Sequence, residues 1–110
     1  MGIDYQLYRV WANTSKGVRQ CQKADKALQE DNADSATNHL EKALNYFGYA
    51  AEHMAKAEDD AVVKAGKLLD AGNGQLQKAL DLYAEGHTDR AQNHYDEALE
   101  KYDEAFDLID

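Results

Sequence analysis

Apolar residues recur three and four positions apart along four stretches of the chain, the spacing that puts them on one face of a helix. The clearest stripes are Ala36, Leu40, Ala43, Leu44, Phe47, Ala51 and Met54, and Ala91, Tyr95, Ala98, Leu99, Tyr102, Phe106 and Ile109. Two weaker ones precede them: Leu7, Trp11, Val18, Cys21, Ala24 and Leu28, then Val62, Ala65, Leu69, Leu76, Ala79, Leu80 and Tyr83. Each stripe reads as the core-facing side of a helix.

Between the stripes lie turn signals. Gly86 suits the left-handed residue that ends a helix, with Thr88 as cap and Asp89 in the first turn of the next. Asp31-Asn32-Ala33-Asp34 serves the same end earlier in the chain with side chains that bond their own backbone. The pattern predicts helices near 3–30, 33–57, 60–85 and 88–110, closing antiparallel as an all-α four-helix bundle. Gly72-Asn73-Gly74 interrupts the third stretch as a kink or a break, and Asn13-Thr14-Ser15-Lys16-Gly17 occupies the matching place in the first. The second stripe also runs on through Ala57, Ala61, Ala65 and Leu68, so one long helix over 33–71, paired with another chain, is the alternative.

The two halves align without gaps. Residues 17–50 against 72–105, at a constant offset of 55 (His94 against His39), give thirteen identities in 34 pairs. Asn38-His39-Leu40-Glu41 matches Asn93-His94-Tyr95-Asp96. The reading is a single domain over 1–110, made of two tandem helical hairpins by internal duplication, the first about 1–55 and the second about 56–110.

Ala24, Ala36, Leu40 and Ala43 in the first copy, and Ala79, Leu82, Gly86, Ala91, Tyr95 and Ala98 in the second, carry small and large side chains at the spacing of a packed hairpin. Over roughly 20–48 and 75–103 this resembles a tetratricopeptide unit. The resemblance implies a protein-binding scaffold and assigns no ligand residues.

Composition sharpens the class. The 110 residues contain no proline and are rich in alanine, leucine, lysine, glutamate and glutamine, all good helix formers. No stretch approaches the roughly 18 apolar residues of a membrane span. Met1–Val10 holds Asp4 and Arg9 and lacks an apolar run, so no signal peptide is expected. One cysteine, Cys21, forms no internal disulfide; with the missing leader this points to the cytoplasm.

The net charge of −9 is unevenly spread. Residues 1–28 balance at +3, with Arg9, Lys16, Arg19, Lys23 and Lys26 against Asp4 and Asp25. Residues 81–110 balance at −8, with ten acids against Arg90 and Lys101. Direct nucleic-acid binding and anionic membranes are disfavoured.

Catalytic motifs are missing: there is no GxSxG, P-loop, GxGxxG or HExxH. Cys21 sits on an apolar stripe and reads as core. No enzyme is expected, and no cofactor. Asp96, Glu100, Asp103, Asp107 and Asp110 line one face of the last helix, although like charges at this spacing and acids near a helix C-terminus both oppose it. That suggests an acidic face for a basic protein partner. An acidic inhibitor that mimics nucleic acid is one alternative. Another is a transition metal or haem held by the repeat-equivalent His39 and His94. Tyr5, Tyr8 and Trp11 form a candidate aromatic patch, either a binding surface or a cover for the open end of the core. A homodimer is compatible with all of these.

Overall fold

A computed structural model describes the backbone of residues 5–109 and the side chains of residues 10–109. It is all-α: α1 (Tyr5–Gln29), α2 (Ala33–Ala55), α3 (Asp60–Ala84) and α4 (Thr88–Ile109), joined by short turns and packed as an antiparallel bundle. The bundle measures 50 × 19 × 18 Å. None of the helices is long and apolar enough to cross a membrane.

The turn after α1 and the turn after α3 use the same geometry. Asp31 and Gly86, 55 positions apart, take positive φ values of 56° and 82°. Asn32 N–H donates to the Ala27 carbonyl and Asp31 N–H to that of Leu28; His87 and Gly86 repeat this on Leu82 and Tyr83. These bonds satisfy carbonyls that a helix end leaves without partners. Asn32 then caps α2, its side chain accepting from Ser35 N–H at 3.1 Å. Thr88 does not act as the expected cap. It is the first residue of α4, and the His87 carbonyl, one position earlier, accepts from Ala91 N–H.

The long 33–71 helix is not formed. α2 stops at Ala55, and α3 restarts at Asp60 behind Asp59, whose side chain accepts from Ala61 N–H at 2.8 Å. Both suspected breakers lie inside continuous helix. Gly17 and Gly72 have a packing role. A Cβ on Gly72 would stand 2.6 Å from the Tyr102 ring, and one on Gly17 would stand 2.7 Å from Phe47. Each glycine therefore lets the aromatic of its partner helix lie against bare backbone. Asn73, next to Gly72, accepts the Tyr102 hydroxyl at 2.7 Å. The Phe47 and Tyr102 rings meet at the bundle centre, 4.1 Å apart between centroids. That tilted aromatic contact adds about 1 kcal/mol to area burial.

The stripes of α2, α3 and α4 supply the buried core, led by Tyr95, Tyr102, Phe47, Leu40, Met54, Leu69 and Leu76. Two residues of the first stripe depart from it: Trp11 is 70% exposed and Val18 is 38% exposed. The reason is the position of α1. It packs on α2, α2 on α3, and α3 on α4, but α1 and α4 bring no pair of Cα atoms within 8 Å of each other. One seam of the bundle is open.

Candidate functional site

The open seam is bordered by the helices at the two ends of the chain. Trp11, Thr14, Ser15, Val18, Arg19 and Gln22 of α1, with Phe106 and Ile109 of α4, enclose a groove of about 450 Å³. A smaller pocket of about 160 Å³ continues it, reaching Cys21 and Asp25 of α1, Phe47 beneath, and Leu99, Tyr102 and Asp103 of α4. The larger groove mixes apolar side chains of both helices with polar ones of α1, and the smaller pocket is more apolar.

Tyr95 spans the seam from α4. Its hydroxyl donates to Asp25 Oδ1 at 2.8 Å, with the Cys21 carbonyl also in reach at 3.3 Å. Burial raises the Tyr95 and Tyr102 hydroxyls above the ordinary tyrosine range, with the Cys21 charge adding to it. Burial likewise pushes the Cys21 thiol up to about 11. A thiol kept protonated near neutral pH is a poor nucleophile.

Asp96, Glu100, Asp103 and Asp107 are all exposed along one line of α4. Asp103 also borders the seam, next to Phe106. The acidic stripe and the apolar groove therefore adjoin. Asp110 lies outside the described residues, as do the side chains of Tyr5 and Tyr8. Trp11, the remaining member of that patch, stands on the α1 rim.

His39 and His94 are each half-buried and held within their own hairpin. His39 Nδ1 lies 2.7 Å from Gln20 Oε1 of α1, and His94 Nδ1 lies 2.7 Å from Gln75 Oε1 of α3. The structure thus turns each histidine towards its hairpin neighbour rather than joining the pair in one site. Among the described residues, no group of three or more His, Cys, Asp or Glu side chains is placed to hold a metal ion.

The sequence reading missed the seam itself. Val18, Leu99, Phe106 and Ile109 are read from periodicity as core, yet they line its walls. A signal was present in the repeat. The positions 55 residues from Gly66, Met54 and Ala51 are Trp11, Ile109 and Phe106. The first three meet closely where α2 packs on α3; in the second three, Trp11 replaces glycine and Phe106 replaces alanine where α1 should pack on α4.

Comparison with family models, with curated proteins and with solved structures yields no match.

Proposed function

We propose that the protein is a non-enzymatic interaction module whose α1/α4 seam docks a basic amphipathic helix of a protein partner. The observation that carries this reading is the adjacency of an unfilled apolar groove and an acidic stripe. Exposed tryptophan beside packed aromatics is the composition of interface hot spots. Helix-in-groove recognition needs an apolar channel and flanking charge, and both are present here. Asp96, Glu100, Asp103 and Asp107 would steer a partner with lysine or arginine on one flank and hold its register. The likeness of residues 20–48 and 75–103 to tetratricopeptide hairpins belongs to the same functional class. A single buried cysteine suits a reducing compartment such as the cytoplasm.

The test uses Trp11, the chain's one tryptophan, as reporter. Titration with a synthetic leucine/lysine amphipathic peptide should shift Trp11 emission to the blue. The shift should weaken with salt and require several-fold more peptide in the Asp103→Lys, Asp107→Lys variant. An equal response to a leucine/glutamate peptide would sink the acidic-face reading.

A further inference from the structure

We infer that the basic helix that fills the seam is α1 of a second copy, in a twofold dimer that lays α1 of each chain over α4 of the other. This rests on the reading of the seam as the docking surface. The two helices bordering the seam are oppositely charged. α1 carries Arg9, Lys16, Arg19, Lys23 and Lys26 against Asp25. α4 carries seven acids against Arg90 and Lys101. Of the α1 bases, Arg19 borders the seam beside the apolar anchors Trp11 and Val18, while Lys16 Nζ lies 5.8 Å from the centre of the Tyr46 ring on α2.

Charge also selects the symmetry. A face formed by two antiparallel helices meets a copy of itself in two simple ways. A twofold axis perpendicular to the helices would lay acidic α4 on acidic α4. An axis parallel to them puts α1 on α4 twice and keeps each residue at its own height. Arg19 and Asp103 both border the seam near Phe106. The parallel axis therefore brings Arg19 of one copy to Asp103 of the other, on both sides of the interface. Neither residue has an ion-pair partner within its own chain among the described residues. The seam-bearing face is 50 Å long and about 19 Å wide.

The experiment is light scattering after size exclusion, with analytical ultracentrifugation over a concentration series, on the whole chain. The proposal expects a dimer whose dissociation constant rises about tenfold between low and high salt, with Trp11 emission shifting to the blue as dimer forms. Arg19→Glu alone should weaken dimerisation about tenfold or more, and so should Asp103→Lys alone. The double swap should restore it to within about threefold, because the pair is remade with its sign reversed. Both residues are exposed, so circular dichroism should stay unchanged. A monomer at every concentration would overturn the dimer. If the lysine-rich peptide still shifted Trp11 in that monomer, the docking reading would survive without it. A dimer indifferent to both single swaps and to Trp11→Ala would place the interface elsewhere and overturn the proposal.

Discussion

The bundle has two seams between its hairpins, α2 against α3 and α1 beside α4, and corresponding positions in them lie 55 residues apart. At the first, a Cβ built on Gly66 would stand 2.8 Å from Met54 Cβ and 3.6 Å from the Ala51 carbonyl oxygen. Backbone there approaches backbone. At the second, the same three positions hold Trp11, Ile109 and Phe106, and no Cα pair comes within 8 Å. Helix separation follows the size of the side chains at the crossing. The fold closes where the crossing residue is glycine and stays open where it is tryptophan. A second contrast follows. The core residues Leu40 and Leu80 of the closed side correspond to Tyr95 and Asp25: the Tyr95 ring stays in the core, and its hydroxyl reaches exposed Asp25 across the open side.

The largest effect should come from forcing the closed seam to resemble the open one. In Gly66→Leu the new side chain meets Met54 Cβ and nearby backbone, neither of which can swing aside. We expect a loss of about 3 kcal/mol, net of the helix propensity that leucine brings, as a lower urea midpoint. A loss below about 1 kcal/mol would show that α2 and α3 can part cheaply, and the account of the two seams would fail.

Much of this architecture was legible from the chain. The turns after α1 and α3 followed from stripes and turn residues because these are local: Asp31, Asn32 and Gly86 act on backbone within a few positions. The openness of the seam was not legible from periodicity, because a stripe records which side of a helix is apolar and not how far away its neighbour stands. Trp11 and Val18 satisfy the α1 pattern as well as Cys21 and Ala24 do. Only the first two lack a helix to cover them. Gly72 misled for the same reason. As a local signal it breaks helices, but here it accommodates the Tyr102 ring. The acidic stripe on α4 was plain in the sequence, whereas its adjacency to a groove depended on where α1 lies.

The open seam carries a buried thiol and buried phenols, so alkali should test it. Burial holds the Cys21 thiol near 11, above the usual cysteine range. Tyr95 and Tyr102 are raised in the same direction. Between about pH 9 and 11 the unfolded thiol loses its proton and the folded one keeps it. The folded state then binds more protons, and stability falls as pH rises. The stabilisation is fully present below the unfolded value and is lost as pH passes the folded one. The difference between the unfolded and folded thiol corresponds to about 3 kcal/mol once both have titrated. Urea midpoints measured from pH 8 to 11 should decline, and Cys21→Ala should flatten the first part of that decline. An unchanged profile in the variant would mean that the thiol is not shielded at the seam.

Tyr95→Phe removes the hydrogen bond across the seam and leaves the ring in place. Asp25 is exposed, so water can replace the lost donor. The cost should be about 1 kcal/mol. Hydrogen exchange sharpens the test: protection should fall in α1 around residues 18–25 more than in α2 or α3, because α1 is held on that side by this bond rather than by packing. Uniform loss of protection would mean that Tyr95 braces the whole core and not the seam.

The smallest effect should come from the bulkiest side chain. Trp11 is 70% exposed in the single chain, so Trp11→Ala gives up little burial there. Measured at low protein concentration, the change in unfolding free energy should stay below about 0.5 kcal/mol. At high concentration the same substitution should destabilise more, because a tryptophan buried between copies contributes only when they associate. A large loss at low concentration would mean that α1 and α4 close over Trp11 in solution, and the difference between the two seams would disappear with the groove.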